Sequence, residues 1–409
     1  MSFDNQLLEK YNVKLISSEY STYDIVNDFL MNNQSEQPFY IIDLGEIIKL
    51  YEKWITYFPT ITPYYAVKCN PNPVILDVLS GLGTCFDCAS ENEIKAVIEL
   101  THNPNRIIFA NPCKMSSQIK YARANDVDMM TFDCEEELYK IKLYHPYSKL
   151  ILRLAVDDSQ SVCKFNSKFG CKVENIENLI YLMKNLKLQL IGFSFHVGSG
   201  CKSVESYYNA IKTCREAYDL ALKNDITINI IDIGGGFPGI HSETNINIEQ
   251  IAEKMKQSQQ EFFNKEIEDG TIKFIAEPGR YFVEKSHTLV LNVIGKKRQI
   301  YIDPITNITE EIIIYYLNDG VYGSFNCIYF DHKTPTILPF NERNEKKMYK
   351  SKIFGPTCDS IDLIANEIML PELVIGEWVY VENFGAYTTA ASSSFNGFIT
   401  TDYKYILRN

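Results

Sequence analysis

From Pro63 to Arg280 the chain alternates between two textures. Short apolar runs are each followed by an amphipathic stretch with helical spacing. The runs are "YYAVK", "CFDCA", "RIIFAN", "MMTFDC", "KLILRLAV", "LIGFSFHVGS", "INIIDIGGG" and "KFIAEPGR". The stretches between them include "NEIKAVIEL", "ENLIYLMKNL", "SYYNAIKTCREAYDLAL" and "IEQIAEKMKQSQQEFF". Strands alternating with helices predict a parallel sheet, and eight repeats predict an α/β architecture closed into a (β/α)8 TIM-like barrel. After Arg280 the texture changes. "HTLVLNVIG", "RQIYI", "EEIIIYYLN", "CIYF" and "EWVYVEN" are strand-like with few helical stretches between them, which predicts a second, mainly β domain. The segment up to Gln37 lies outside the repeat and could join either domain. Two polar connections stand out, "DDSQSVCKFNSKFGCK" after the fifth strand, expected to be mobile, and "GIHSETNIN" after the glycine cluster, expected to be a surface loop.

The composition is that of an ordinary globular protein, 45% hydrophobic and 22% charged over 409 residues. A net charge of −12 would repel a phosphate backbone, so no nucleic-acid partner is expected. "MSFDNQLLEKYN" has neither a basic start nor an apolar core, and no apolar run reaches membrane-spanning length, so neither a signal peptide nor a membrane partner is expected. Eleven cysteines, an odd number without framework spacing, suit a reducing cytoplasm. "CFDC" is a lone CxxC with no second pair, so no metal is expected there.

In such a barrel, chemistry sits at the C-terminal ends of the strands. Those ends carry Lys68, Asp87, Asn111, Asp133, Arg153, His196, Gly234 to Gly236, Glu277 and Arg280. One lysine at a strand end is ordinary. Lys, Asp, Arg, His and Glu around one ring predict an active site. "GGGFPG" fits a dinucleotide-binding pattern, but it follows the seventh strand and runs into Pro238 and a polar loop instead of opening a helix. Glycines after strands seven and eight of a barrel form a phosphate site instead. Gly279 and Arg280 of "EPGR", and Ser199 of "HVGSG", add to it. A phosphate site together with Lys68 points to a phosphorylated aldehyde held as a Schiff base, and pyridoxal 5'-phosphate fits. Glu277 is placed to partner the pyridine nitrogen, His196 to stack on the ring, and Asp87 to orient Lys68.

Taken together, "PYYAVKCNPNP", "FDCAS", "FHVGSG", "DIGGGFPG", "EPGRYFV", "NDGVYGSFN", "GPTCDSID" and "ENFGAYT" resemble the eukaryotic-type ornithine decarboxylases, of the alanine-racemase-like class of pyridoxal-phosphate enzymes. The resemblance runs from about residue 38 to Phe398. It implies a cofactor-binding barrel over 38–280 and a β domain over 281–409, joined by the N-terminal segment 1–37. It further implies a homodimer with shared active sites. Lys68 matches the Schiff-base lysine and Glu277 the pyridine-nitrogen partner. Ser199, the glycines ending at Gly235 and Gly236, Gly279, Arg280 and Tyr387 match the phosphate site. Asp87, Glu93, Arg153 and His196 match the shell around the cofactor. Asp331 and Asp359 match the carboxylates that face the distal amine of the substrate, with Tyr322 and Phe395 beside them. Cys358 matches the residue that protonates the intermediate. In the family, Tyr322, Cys358 and Asp359 come from the partner subunit.

The implied reaction is decarboxylation of L-ornithine to putrescine and CO₂, the first step of polyamine biosynthesis. "CDS" favours an amine-ended substrate, although lysine or arginine stays open. Three positions depart from the family pattern: Phe330 for a common tyrosine, Phe354 for a common tryptophan, and Ser360 for a common glycine. Cys201 and Cys327 read as packing residues, and His332 as a neighbour of Asp331. The segment Lys114–Lys149 resembles the antizyme-binding region, but the acidic run "DCEEE" within it predicts weak or absent capture by antizyme. The chain ends soon after "FNGF", so the degradation tail of animal members is expected to be absent. Two other classes stay in view. One is a catalytically inactive relative acting by binding. The other is a nicotinamide oxidoreductase built on "GGGFPG".

Overall fold

All eight apolar runs expected as barrel strands are strands in the computed structural model, which describes residues 5–32, 35–240, 245–302, 309–341, 347–398 and 402–408. The strands are Ile61–Ala66, Cys85–Cys88, Ile107–Phe109, Met129–Phe132, Lys149–Arg153, Gln189–Ser194, Ile230–Asp232 and Lys273–Ala276. All pair in parallel, and the ring closes where Ile275 of the last strand lies opposite Thr62 of the first. Tyr64, Ile108, Ile151, Ile191 and Ile275 pack together in one buried cluster. These interior side chains make the barrel a filled core, not a pore.

The connecting helices begin where the local chemistry says they should. Asn72 accepts a hydrogen bond from the Val74 amide, and Pro73 opens the helix Pro73–Leu82. Asn247 and Gln250 form a reciprocal capping box at the start of Ile248–Glu268. The helix Leu44–Tyr57 delivers Trp54, which is fully buried among Phe58, Phe237, Tyr281 and Phe282 and donates its indole N–H to the Ile61 carbonyl at 3.1 Å.

The chain divides into two units, Ile48–Phe282 and Met1–Ile47 together with Val283–Asn409. The second unit is built on an antiparallel and parallel mixed sheet in the order Lys14–Ile16, Asp402–Arg408, Phe39–Asp43, His287–Ile302, Thr309–Leu317, Met348–Phe354, Leu363–Pro371. Trp378–Val381 joins the sheet beside His287–Ile302. The leading segment thus runs with the β unit, and so does Phe39–Asp43, which lies within the stretch expected for the barrel domain.

Two expectations need correction. "CIYF" is not a strand. Ser324–Asn326 forms a 3-10 turn that winds into one helical turn, Cys327–Phe330, closed by the Asp331 amide on the Cys327 carbonyl at 3.0 Å. Local hydrogen bonding overrides the strand preference of its aromatic residues. The connection over residues 157–172 is also structured. Ser161–Cys163 pairs antiparallel with Ser199–Cys201, and the Asp158 carboxylate accepts from the Phe165 and Asn166 amides at 2.6 and 2.9 Å. Residues 241–244 of "GIHSETNIN" lie outside the described residues, as do 399–401 and 409 near the C-terminus.

Replacing Trp54 with alanine removes a large buried side chain and one hydrogen bond. Urea denaturation of Trp54→Ala should show a loss of roughly 3–5 kcal/mol. A loss under about 1 kcal/mol would mean that the aromatic cluster around it does not support the barrel unit.

Candidate active site

The first barrel strand runs straight into a 3-10 turn, Val67–Cys69, whose outer residues are buried while Lys68 points outward. The turn is fixed on three sides. The Ala66 amide donates to the Pro278 carbonyl at 3.1 Å, and the Tyr65 hydroxyl donates to the Asn70 carbonyl at 2.9 Å. Gly279 lies so close that a Cβ on it would be 2.9 Å from the Cys69 Cβ. The Lys68 ammonium pairs with Asp87 Oδ2 at the end of the second strand. Asp87 is fully buried, and its Oδ1 has no hydrogen-bond partner among the described residues.

Around the ring, Glu93 accepts from the Ala89 amide at 2.6 Å, and burial raises its pKa. Arg153 ends the fifth strand with its guanidinium 5.2 Å from the centre of the Phe169 ring. Its Nη2 is buried without a hydrogen-bond partner among the described residues. His196 follows the sixth strand. Its Nδ1 accepts from the Gly198 amide at 2.9 Å, which places the proton of the neutral ring on Nε2. Burial, then the cations of Arg153 and Lys68, hold its pKa far below the ordinary imidazole value. Phe165, from the structured connection, meets the His196 ring edge-on at 4.9 Å.

The glycine cluster is a steric requirement. Gly234 and Gly236 sit at φ +62° and +94°, and a Cβ on Gly235 would lie 2.7 Å from His196 Nε2. The backbone therefore lies against the imidazole with no side chain between. Arg280 Nη2 donates to Ser199 Oγ at 3.2 Å, joining the exits of the sixth and eighth strands.

Glu277 lies half-buried beside Asp232. Burial, then repulsion from Asp232 and Asp87, pushes the Glu277 pKa well up. Burial likewise pushes Asp232 up to about 7, although its Oδ1 accepts from the Gly234 amide at 2.9 Å. Asp232 was not anticipated. It stands in "IDIGGG" at a strand end, and that position was its only signal.

The other expected residues lie in the β unit, where Tyr322, Asp359, Phe395 and Cys358 come together. The Tyr322 hydroxyl donates to the Asp359 carboxylate, and the Tyr322 and Phe395 rings are 4.4 Å apart. Asn396 Oδ1 accepts from the Cys358 amide at 3.0 Å. Asp331 follows the helical turn Cys327–Phe330, and Tyr329 from that turn donates to the Ile361 carbonyl at 3.0 Å. Tyr387 stands in a turn at φ +55°. Of the departures, Phe330 is exposed, and Phe354 stacks on Tyr316 with ring centres 6.0 Å apart.

Asp362 was missed. Its carboxylate is buried and accepts from the Val321 amide at 2.8 Å, the Thr357 amide at 3.0 Å and the Thr357 hydroxyl at 2.7 Å. It ties the turn bearing Tyr322 to the turn bearing Cys358 and Asp359. Its closeness to Gly320 and Gly355 was legible only as two glycines near aspartates.

Residues 44–284 match the family described as pyridoxal-dependent decarboxylase, pyridoxal binding domain. The ornithine decarboxylase of Rattus norvegicus is 41% identical over 407 residues, which is 98% of this chain and 87% of that protein. The chain belongs to the ornithine decarboxylase family. Within reach of this family lies also antizyme inhibitor 2 of Xenopus laevis, 40% identical over 406 residues, 98% of this chain and 88% of that protein. Among solved structures, the Paramecium bursaria Chlorella virus arginine decarboxylase has a TM-score of 0.87 at 36% identity, covering 94% of this chain and 100% of that one. The Vibrio vulnificus lysine/ornithine decarboxylase complexed with cadaverine has a TM-score of 0.83 at 30% identity, covering 95% and 100%.

As a member of the ornithine decarboxylase family the chain is a pyridoxal-phosphate-dependent decarboxylase, and its cofactor is pyridoxal 5'-phosphate. The barrel mouth fits that group. Asp87 and Asp232 are buried carboxylates that, with the half-buried Glu277, face the cations of Lys68 and Arg153. A protonated pyridine nitrogen would supply the cation this balance lacks. The glycine turn with Ser199 and Arg280 offers donors to a phosphate.

In the β unit, burial pushes the Asp319 carboxyl up to about 7. Its folded pKa lies above its unfolded one, so the folded state is stabilised relative to higher pH below about 4, and that advantage is lost as pH rises to about 7. Asp319→Asn should therefore flatten the dependence of Tm on pH between about 4 and 7, gaining on the parent as pH rises through that window. A Tm curve parallel to the parent's would show that Asp319 titrates normally.

Proposed function

We propose that the chain decarboxylates L-ornithine to putrescine and CO₂, with Lys68 as the residue that holds the cofactor aldehyde. The observation that carries this reading is the Lys68–Asp87 pair at a strand end, with Glu277 half-buried on the same ring. Pyridoxal phosphate, when bound, supplies an electron sink for the pair left on Cα as the carboxylate departs. The chain does the rest. Asp87 orients the Lys68 amine and stabilises its charged form. Glu277 holds a proton on the pyridine nitrogen, because its own environment disfavours an isolated carboxylate. Ser199, Gly235, Gly236, Gly279 and Arg280 bind the phosphate, joined by Tyr387. Neutral His196 presents a flat, uncharged face, and Arg153 balances the carboxylates around it. Asp331 and Asp359 receive the distal ammonium, with Tyr322 and Phe395 beside them, through charge-assisted hydrogen bonds worth roughly 1.5–3 kcal/mol each. The Cys358 thiol returns a proton to Cα.

The working form is a homodimer on this reading. Tyr329, Phe330, Ile361, Phe395 and Phe398 are exposed near Cys358 and Asp359, a surface that suits contact with a second copy. No described helix is long and apolar enough to cross a membrane. We place the protein in the cytoplasm, on its odd cysteine count.

The first test is CO₂ release from ornithine, lysine and arginine, with and without pyridoxal phosphate, beside Lys68→Ala. Cofactor-dependent release chiefly from ornithine is expected, with a loss of at least about 10³-fold in the variant. Preference for lysine or arginine would move the substrate assignment to the Asp331 and Asp359 pocket. No release from folded parent protein would favour a binding role, the reading that the likeness to antizyme inhibitor 2 keeps open.

Capture by antizyme is expected to be weak. The acidic run contributes less surface charge than its sequence suggests, because Glu137 is buried between Lys114 and Lys140 at 2.8 and 2.5 Å. Glu135 and Glu136 remain exposed. Tight capture in a pull-down at physiological salt would overturn this expectation.

A further inference from the structure

Lys333 stands two residues beyond Asp331, in "FDHK", where a surface lysine would be ordinary. It is instead a buried lysine. Its side chain is 9% exposed, and the Glu284 side chain it meets is 0% exposed. The ammonium donates to Glu284 Oε1 at 2.7 Å and to the Asn383 carbonyl at 2.9 Å. The three donors of an ammonium are directional, so these contacts fix the position of Nζ against two separate stretches of chain.

The turn that carries Lys333 and the turn that carries Asn383 each hold a residue of the proposed site. The Asp331 and Lys333 amides both donate to the Cys327 carbonyl, at 3.0 and 3.1 Å, so Lys333 belongs to the same short turn as Asp331. Asn383 opens the turn "NFGAY", which ends at Tyr387. That turn lies against the stretch containing Glu284. The Gly385 amide donates to the Glu284 carbonyl at 3.3 Å, the Phe384 amide donates to the His287 carbonyl at 3.0 Å, and a Cβ on Gly385 would lie 1.9 Å from the Val283 carbonyl oxygen. His332, Asn383 and Tyr387 all have left-handed backbone, at φ +52°, +54° and +55°. Non-glycine residues persist there only when their surroundings hold them.

We infer that Lys333 is a positioning residue, which with Glu284 locks the turn bearing Asp331 and the turn bearing Tyr387 into one relative placement. The inference rests on the reading that Asp331 receives the distal amine of the substrate and Tyr387 the cofactor phosphate. Net stability is a poor reason for such a pair, because apolar side chains of similar volume often replace a buried ion pair without loss. What apolar groups cannot replace is the bridge to the Asn383 carbonyl.

The test compares the parent with Lys333→Met and with the double variant Lys333→Met/Glu284→Gln. The single variant leaves a buried carboxylate without its cation and should unfold more easily. The double variant removes that charge and should recover most of the parent's Tm. It serves as the deciding protein if the single variant does not fold. Three quantities are measured on it: hydrogen exchange of residues 327–334 and 383–388 without cofactor, pyridoxal-phosphate affinity by absorbance titration, and the steady-state constants for ornithine.

Faster exchange in both segments together is expected. So is a cofactor affinity weakened about fivefold and a KM for ornithine raised about fivefold to tenfold, with kcat within about twofold of the parent. Parental exchange, affinity and KM in a double variant of restored Tm would overturn the proposal and leave the pair a packing feature. Should the parent release no CO₂ from ornithine, the functional reading fails. The exchange and cofactor measurements would still decide whether Lys333 joins the two turns.

Discussion

Asp87 and Asp232 are held out of water, with Glu277 half-buried beside them, at the exit of one ring of parallel strands, and that constraint shapes the barrel mouth. Buried carboxylates repel one another and lose their hydration, so each must find a cation, a donor or a proton. Lys68 answers Asp87, and the Gly234 amide answers Asp232. Glu277 has its pKa driven up instead. The tight glycine turn, the lysine paired with Asp87 and the neutral His196 are responses to one electrostatic problem as much as separate functional parts. A site balanced in this way is poised for a cationic ring nitrogen, whose arrival would relieve the strain among the acids.

The β unit solves a different problem by a similar means. The side chains proposed for its site stand on irregular turns, which a sheet cannot hold by ladder bonds alone. Asp362 holds two of those turns through a carboxylate that accepts from both, and Lys333, itself in the turn of Asp331, holds the turn of Tyr387 through an ammonium that donates to the Asn383 carbonyl and to Glu284. In each case a buried charge does what packing cannot, because hydrogen bonds have direction and apolar contacts do not.

These solutions explain what could be read in advance. The barrel was legible because its strands and helices repeat a hydrophobic period eight times, and because the position of its strand ends follows by rule from the strands. Lys68, Glu277 and Arg280 were legible for the same reason. The helical turn Cys327–Phe330 was not, since four aromatic and apolar residues carry no period long enough to choose between helix and strand. The pairing of Ser161–Cys163 with Ser199–Cys201 was hidden because its partner lies beyond an intervening helix and strand. Asp232, Asp362 and Lys333 were invisible as site residues for a common reason. Their importance comes from burial and from partners distant in the chain, and a single sequence reports neither.

The order of strands in the β unit has a consequence for synthesis. Asp402–Arg408 lies between Lys14–Ile16 and Phe39–Asp43, paired in parallel with both. Lys14–Ile16 must therefore wait for Asp402–Arg408 before this part of the sheet can form. Residues 48–282 face no such delay, since all eight of their strands emerge before the chain returns to the sheet. A nascent chain would carry an open sheet edge at Phe39–Asp43 throughout translation of the barrel, and that edge is where a ribosome-bound helper would be needed most.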